Sequence, residues 1–387
     1  MGGFRFIHCA DLHLGSRFKG VDTDDAEELR VMRDASCESF ERIMDLAITE
    51  RASFVVIAGD LYDKNALPWT RAFFAEQTER VGIPVFVSRG NHDSERPWDA
   101  YIPYPKNVKV FSTHPENVRI MCGDEKVEVT GISFSSKKES RNLVAMLSGA
   151  DDVFTVACVH CDVEEVGEGH PNAVCRSSDF VGRNVDYWAL GHVHKRKVVR
   201  ESPLVVYPGN IQGRSPKETG PKGAYVVSVS SRKVADLRFV PTHSLQWERL
   251  EADVTGMSME ELASKLSEES GNTDIATLAL RGSGGLMDAL MDDREGFLDS
   301  LDAMLPFRLA SVDAVPELDG SGELATRIRS AVQSMESEGR RAYDRVITEN
   351  PNMAERTKTV ASISDRELAR SAERAASALL RMSGGDR

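Results

Sequence analysis

Apolar runs rich in β-branched residues alternate with segments of helical periodicity over the first 245 residues. Phe4–Ala10 alternates like a strand, and Phe54–Ala58 and Pro84–Ser88 are continuous apolar runs typical of buried strands. Between them, Ala26–Arg51 and Arg71–Val81 repeat apolar residues at helical spacing. Further strands are predicted at Val127–Phe134, Val153–His160, Tyr187–Leu190, Leu204–Tyr207, Ala224–Val229 and Val234–Val240. Strands alternating with helices, and then strands in quick succession, favour two packed sheets flanked by helices.

The pattern changes near Trp247, after which a smaller set of elements follows. Met259–Ser270 and Glu295–Met304 have helical spacing, and Thr277–Arg281 and Arg308–Ala314 resemble strands. A break rich in Gly, Ser and Glu precedes a mainly helical remainder. We therefore expect three regions, which are a two-sheet α/β domain over residues 1–245, a small α/β domain over 250–320 and a helical C-terminal region over 321–387.

Composition and charge exclude few classes of protein. No apolar run approaches the roughly 18–20 residues of a membrane helix, and the N-terminus lacks the pattern of a signal peptide, so we expect a cytoplasmic protein without membrane contact. The net charge of −13 argues at first against a polyanionic partner. The acidic excess, however, lies mostly in residues 251–319, with 16 acidic and 4 basic residues. Any nucleic-acid-binding face must therefore be local.

The six cysteines are scattered through apolar segments, and free thiols are expected in a chain without an export signal. Cys158 and Cys161 have the C-x-x-C spacing of some zinc and redox sites. No second pair completes a zinc site, and no thioredoxin-like context surrounds this one.

Metal-ligating side chains recur just past the ends of five predicted strands, where α/β proteins place their chemistry. A single such motif is usually a surface turn, but five in order are hard to explain as turns. Two neighbouring divalent cations need a shared carboxylate together with imidazole and oxygen ligands, and the motifs supply these groups. They are Asp11-Leu12-His13, Gly59-Asp60, Gly90-Asn91-His92-Asp93, His160 and Gly191-His192-Val193-His194.

In this order the motifs resemble those of the calcineurin-like metallophosphoesterase superfamily, over about 240 residues. Ala10–Gly15, Gly59–Asp63 and Tyr207–Arg214 are similar to stretches of SbcD-type DNA repair nucleases, and especially of their YhaO-like bacterial relatives. The resemblance implies an α/β/β/α metallophosphoesterase sandwich, with a small C-terminal α/β capping domain and a helical tail. It also implies a hydrolase that cleaves DNA phosphodiester bonds by a two-metal mechanism.

The resemblance further implies a role for each residue of the site. The first metal ion would be held by Asp11, His13 and His194. The second would be held by Asn91, His160 and His192, with Asp60 bridging both. His92 would act near the leaving group, with Asp93 as a supporting partner. The two divalent ions are expected to be manganese, with magnesium as the alternative.

Basic residues cluster near the inferred site, and Lys195–Lys197 directly follow His194. This pattern favours contacts to a DNA backbone without base reading. The DNA-binding candidates are Lys195, Arg196, Lys197, Arg214 and Lys217. The resemblance adds an SbcC-like ATPase that docks on the helical tail, and a homodimer formed by the helix at Ala26–Arg51. The alternative is a two-metal phosphatase or phosphodiesterase acting on a small phosphoester or a lipid. A binding subunit with an incidental metal site is disfavoured by the complete ligand set.

Overall fold

A computed structural model describes residues 3–63, 67–93, 102–164, 166 and 171–316 of the chain. The chain divides after Trp247 into two compact units, which are described separately below. The predicted helical region 321–387 lies outside the described residues. Within the described part of the chain, no helix is both long and apolar enough to cross a membrane.

The first unit contains two six-stranded sheets. The first sheet has the spatial order β12 (Lys233–Pro241), β11 (Gly223–Ser230), β1 (Gly3–Cys9), β2 (Phe54–Ala58), β3 (Val85–Ser88) and β4 (Val108–Val110). The second has the order β5 (Glu116–Cys122), β6 (Glu125–Ile132), β7 (Phe154–His160), β8 (Tyr187–Gly191), β10 (Leu204–Tyr207) and β9 (Lys197–Glu201). In each sheet the central strands are parallel, so their carboxyl ends share an edge: β1, β2 and β3 in one, and β6, β7 and β8 in the other.

Two helices cover the outer face of the first sheet. Helix α1 (Ala26–Thr49) begins at Asp25, whose carboxylate accepts hydrogen bonds from two main-chain amides of the first turn. Helix α2 (Pro68–Val81) starts with a proline and ends at Gly82, which has a left-handed φ of 69°. Side chains of both helices form one hydrophobic cluster with the outward-facing residues of β1, β2, β3 and β11.

A second hydrophobic cluster lies between the two sheets and is rich in aromatic residues. Phe6 and Phe54 stack with ring centroids 4.8 Å apart, and Phe6 meets Tyr187 of the opposite sheet edge-on at 5.2 Å. A third cluster covers the outer face of the second sheet. Within the described residues this covering comes from loops and two 3-10 turns, Val144–Met146 and Ser177–Phe180, where the resemblance implied a helical layer.

The second unit is built around a three-stranded sheet in the order β13 (Trp247–Asp253), β14 (Ile275–Gly282) and β15 (Arg308–Pro316). Helix α3 (Met259–Glu269) follows β13, and helices α4 (Gly285–Asp292) and α5 (Arg294–Asp302) connect the parallel pair β14 and β15. Ser258 and Glu261 form a reciprocal capping box at the start of α3. Apolar residues of the helices and strands form a hydrophobic core within this unit.

The predicted sandwich of two sheets is confirmed, together with the small third sheet. Five elements were not anticipated, namely β4, β5, β9, β13 and α4. Four of them are strands, and β4, β5 and β9 are only partly buried, so they lack the apolar pattern that reveals a strand in sequence.

All six cysteines are free and buried, as expected. Cys158 and Cys161 have separate partners, although their C-x-x-C spacing is that of some shared zinc and redox sites. The Cys158 thiol donates to the carbonyl of Ile57, and the sulfur atoms of Cys161 and Cys175 lie 3.9 Å apart.

Candidate metal centre

The loops that follow β1, β2, β7 and β8 converge at the shared edge of the sandwich. The amide of Asp11 donates to the carbonyl of Gly59 at 3.0 Å, and the amide of His13 donates to the carbonyl of Asp60 at 3.0 Å. Across the sandwich, the His192 amide lies 3.2 Å from both carboxylate oxygens of Asp11. One group of side chains is therefore assembled from both sheets.

The backbone of these loops is unusual at four of the predicted ligands. Asp11, His13, Asp60 and His192 have φ values of 52°, 44°, 52° and 107°, in the region that side chains other than glycine seldom adopt. Strained residues persist where the surrounding structure forces them, and they cluster at functional sites. The strain supports a functional role for this edge.

The first group of candidate ligands is Asp11, His13 and His194, whose ligand atoms lie within 4.8 Å of one another. His194 Nδ1 lies 2.6 Å from Oε1 of Glu218 and donates its proton to that carboxylate. A neutral imidazole has one N–H, so Nε2 of His194 presents a lone pair. This lone pair lies 3.3 Å from Nε2 of His13, whose other nitrogen is buried without a hydrogen-bond partner.

The second group surrounds His160. Its Nδ1 donates to the carbonyl of Ala58 at 2.9 Å, which leaves a lone pair on Nε2. Oδ1 of Asn91 and Nδ1 of His192 approach that nitrogen at 3.1 and 3.3 Å. Oδ2 of Asp60 lies 3.6 Å from it, and 3.9 Å from Nε2 of His13 in the first group. Asp60 thus lies between the two groups.

These groups fit two divalent cations. Lone pairs of imidazole, carboxylate and amide atoms face one another at short distances, and there are too few protons to place a hydrogen bond between every pair of these acceptors. Such mixed sets of nitrogen and oxygen ligands suit divalent metals. Burial raises the pKa of the Asp11 carboxyl. Burial, followed by the positive charge of Arg214, lowers the pKa of His13 well below its ordinary value. His13 is therefore neutral and able to act as a ligand at neutral pH.

His92 lies beside the two groups and has a carboxylate partner. Its Nδ1 is 2.8 Å from Oδ1 of Asp63, and 37% of its side chain is exposed. The hydrogen bond with Asp63 raises the pKa of His92, against the opposing effect of burial. The protonated form of His92 is therefore favoured, and its partly exposed ring can contact a substrate.

Asp93 stabilises the main chain of two loops at the site. Its two oxygens accept from the amides of Leu61 and Gly90 at 2.8 and 2.7 Å, so it joins the loop after β2 to the loop after β3. Burial and the neighbouring Asp60 raise the pKa of Asp93 to about 7. The resemblance implied that Asp93 supports His92, whereas the carboxylate that contacts the His92 ring belongs to Asp63.

Sequence reasoning missed two residues of the site. Asp63 was quoted within the resemblance but given no role, and Glu218 was not considered. Glu218 lies in a loop 24 residues beyond His194, and no spacing rule connects the two. Burial acts to raise the pKa of Glu218, but the hydrogen bond from His194 and the charge of Arg214 lower it to about 2.

The predicted DNA-binding residues fall into two environments. Lys195, Arg196, Lys197 and Lys217 are exposed, and the first three directly follow His194. The Arg196 guanidinium lies 3.8 Å from the centre of the Phe239 ring. Arg214 differs, since its side chain is only 12% exposed. Its guanidinium donates to Ser16 Oγ at 2.9 Å and lies between Asp63 and Glu218, in the wall of the metal centre.

The sequence profile of the calcineurin-like phosphoesterase family matches residues 4–196. The metallophosphoesterase YhaO of Bacillus subtilis, described as uncharacterised, is 33% identical over 315 residues, which are 76% of this chain and 76% of YhaO. The chain therefore belongs to the calcineurin-like metallophosphoesterase superfamily, whose members are phosphoester hydrolases that use divalent metal ions.

Two further proteins illustrate more distant similarity. The DNA double-strand break repair protein Mre11 of Aeropyrum pernix is 26% identical over 241 residues, which are 57% of this chain and 56% of Mre11. A dimetal phosphatase from Danio rerio, known from its crystal structure, has a TM-score of 0.39 and 11% identity, covering 59% of this chain and 93% of the phosphatase. That structural likeness is too low to bear on function.

Proposed function

We propose that this chain is a two-metal DNA nuclease of the SbcD type. The observation that carries the proposal is the gathering of ligand atoms from Asp11, His13, Asp60, His160 and His194, joined by Asn91 and His192 beside His160. The exposed cations Lys195, Arg196 and Lys197 directly follow His194. Relatives named as DNA double-strand break repair proteins support DNA as the substrate. Phosphate contacts of this kind bind DNA without reading its bases.

We assign one cation to Asp11, His13 and His194 and the other to Asn91, His160 and His192, with Asp60 between them. When bound, such a pair activates water near neutral pH and neutralises charge on the phosphate oxygens. The metal ion that we favour is Mn²⁺, with Mg²⁺ as the alternative. Glu218 fixes the ring of His194, and Asp93 holds the loops that carry Asp60 and Asn91.

His92 has the attributes of the proton donor to the leaving group. Asp63 holds its Nδ1 and favours the protonated ring, so we assign Nε2 to the departing oxygen. A histidine suits this role because its ordinary pKa, about 6.5, lies close to neutral pH. Arg214 places a positive charge behind Asp63 and Glu218. With the hydrogen bond from His194, this charge lowers the pKa of Glu218 to about 2 against the effect of burial.

The proposal extends to the rest of the chain. The second unit would cap the nuclease domain, and residues 321–387 would dock on an SbcC-like ATPase. The helix over Ala26–Thr49 would form the homodimer contact. We place this activity in the cytoplasm.

A nuclease assay tests the proposal. Labelled single-stranded and double-stranded DNA are incubated with the full chain in manganese, in magnesium and in excess chelator. We expect cleavage that depends on the metal and is fastest in manganese. Cleavage unchanged in chelator would refute the two-metal mechanism. Faster hydrolysis of a nucleoside monophosphate or a lipid headgroup than of DNA would favour the phosphatase alternative.

A further inference from the structure

The metal centre opens into a cleft of about 300 Å³. The residues that line it are Asp60, Asn91, His92, Asn172, His192, Val193 and His194. Five of the seven belong to the predicted metal and proton-donor set, and Val193 is apolar. Asn172 is therefore the one polar residue of the described cleft wall that has no role in the proposed chemistry.

The amide of Asn172 is oriented by the loop that follows β6. The main-chain amide of Glu139 donates to Oδ1 of Asn172 at 3.3 Å, which identifies that atom as the oxygen. Asn172 Nδ2 is then the donor end of the side chain. Among the described residues, no group accepts a hydrogen bond from this nitrogen.

The backbone around Asn172 is fixed on both sides. Its carbonyl accepts from the amide of Asp162 at 3.1 Å, and the next amide, that of Ala173, donates to the carbonyl of Glu139 at 2.7 Å. Ala173 is fully buried and has a left-handed φ of 47°. A strained alanine in that position indicates a turn whose shape is imposed by its surroundings.

Glu139 is itself held firmly. Its carboxylate accepts from the main-chain amide and hydroxyl of Ser135, at 3.1 and 2.9 Å. It also forms a two-pronged ion pair with the guanidinium of Arg141, at 2.9 and 2.6 Å. The loop that positions Asn172 is therefore rigid, and the orientation of its amide is set before any substrate arrives.

We infer that Asn172 is a substrate-contacting residue whose Nδ2 donates a hydrogen bond to a non-bridging oxygen of the phosphate bound in the cleft. The cleft wall is otherwise rich in lone pairs, and a phosphate oxygen needs donors. An amide N–H₂ is a neutral donor that leaves the predicted ligands undisturbed. The inference rests on the proposed phosphoester chemistry, but it does not depend on DNA as the substrate.

The test measures the binding of inorganic phosphate to the manganese-loaded full chain by isothermal titration calorimetry. Four proteins are compared: wild type, Asn172→Ala, Asn172→Asp and Asn142→Ala. Asn172→Asp keeps the oxygen that Glu139 contacts and removes the donor. Asn142 is a matched control outside the cleft lining, because its amide makes two hydrogen bonds, to Asp179 and from Ala145. Manganese content is measured in each protein by elemental analysis.

We expect both Asn172 variants to keep their manganese and to bind phosphate about 10- to 100-fold more weakly, the usual effect of losing a hydrogen bond to a charged group. Asn142→Ala should bind within about twofold of wild type, since it lies away from the ligand. Phosphate affinity unchanged in Asn172→Ala would overturn the inference. So would normal affinity in Asn172→Asp, or loss of manganese from both variants, because each would assign Asn172 a structural role.

A second measurement separates this inference from the nuclease proposal. Hydrolysis of bis(4-nitrophenyl) phosphate is compared with that of its phosphorothioate analogue, in which sulfur replaces a non-bridging oxygen and accepts hydrogen bonds poorly. The loss of rate caused by Asn172→Ala should shrink with the phosphorothioate. An equal loss with both substrates would count against the contact. Failure to cleave DNA, with phosphate binding as expected, would refute the substrate alone.

Discussion

Two histidines of the centre have the same kind of partner but different positions. His92 contacts Asp63 at 2.8 Å and His194 contacts Glu218 at 2.6 Å. In His92 the hydrogen bond with Asp63 raises the pKa of a ring that is partly open to the cleft. In His194 the carboxylate fixes the ring so that Nε2 faces His13. Burial acts to lower the pKa of His194, but the hydrogen bond with Glu218 and the charge of Asp11 raise it overall, as Asp63 does for His92. The two rings therefore differ in position, since His92 is open to the cleft and Nε2 of His194 faces His13.

His92→Ala should retain both metals and still bind DNA, but cleave it about 10²–10⁴ times more slowly, the usual contribution of a general acid. Asn91→Ala is the matched variant of the neighbouring residue. It should weaken binding of the second metal, because Oδ1 of Asn91 faces His160. Metal counting by elemental analysis and single-turnover cleavage distinguish the two variants. Loss of metal from His92→Ala would make it a ligand, and unchanged cleavage would remove it from the mechanism.

Glu218→Gln should weaken manganese binding about 10- to 100-fold, since partners that orient a ligating histidine typically contribute that much. The glutamine keeps the size of the side chain and removes the charge that fixes the His194 tautomer. Asp60→Asn should weaken binding at least as much, because Asp60 lies between both groups. Titration of metal-free protein with manganese measures both variants. Wild-type affinity in Glu218→Gln would show that the hydrogen bond does not orient the ligand.

At the scale of elements, the end of β8 approaches the end of β2 closely. A Cβ atom on Gly191 would lie 1.8 Å from the carbonyl oxygen of Ala58, a main-chain atom that cannot move without moving β2. The absence of a side chain at Gly191 is what allows His192 to lie against Asp11.

Gly191→Ala should destabilise the first unit by about 3 kcal/mol or more, the upper range for overpacking a well-packed interior. Gly123→Ala is the control, because a Cβ there meets nothing within 4 Å and its only cost is a φ of 61°. That cost is about 1–2 kcal/mol. Urea unfolding followed by circular dichroism compares them. Equal destabilisation of the two variants would mean that the close approach is not energetically important.

Much of the element pattern was accessible from sequence because the central strands are buried on both faces. Val55, Ile57 and Val87 belong to continuous apolar runs, which predict such strands. The edge strand β9 could not be found this way, since Lys197 and Arg200 read as a basic loop. The pool of metal ligands followed from strand ends. Glu218 and Asn172 could not be found in this way. Long loops bring them to the centre, and their spacing from the ligands in the sequence does not predict that proximity.

At the scale of the whole first unit, a buried histidine is among the residues whose hydrogen bonds join the two sheets. His8 of β1 is fully buried, with Nδ1 2.9 Å from the hydroxyl of Tyr187 and Nε2 3.2 Å from the carbonyl of Leu190, both in β8. The hydroxyl donates to Nδ1 and Nε2 donates to the carbonyl, so the neutral ring satisfies both contacts. Burial outweighs the hydrogen bond to Leu190 and lowers the pKa of His8 to about 3.

Acid should therefore destabilise the fold through His8. The unfolded chain binds a proton at this histidine below about pH 6.5, whereas the folded chain does so only near pH 3, so the free energy of unfolding falls as the pH drops between these values. The expected contribution is about 1.4 kcal/mol per pH unit. Chemical denaturation at several pH values, for wild type and His8→Asn, isolates it. Parallel curves for the two proteins would refute the assignment.

The assembly of the centre from both sheets has a consequence for the motions of the protein. Asp11 and Asp60 follow strands of one sheet, while His160 ends a strand of the other sheet and His192 and His194 follow one. A motion that separates the sheets would therefore pull apart the ligands of a bound cation. A bound cation would therefore link the two sheets and lower the population of states in which the sheets are separated. Manganese should therefore slow amide hydrogen exchange in β1, β2, β7 and β8 relative to protein in chelator. Exchange in β14, whose core is separate, should not change.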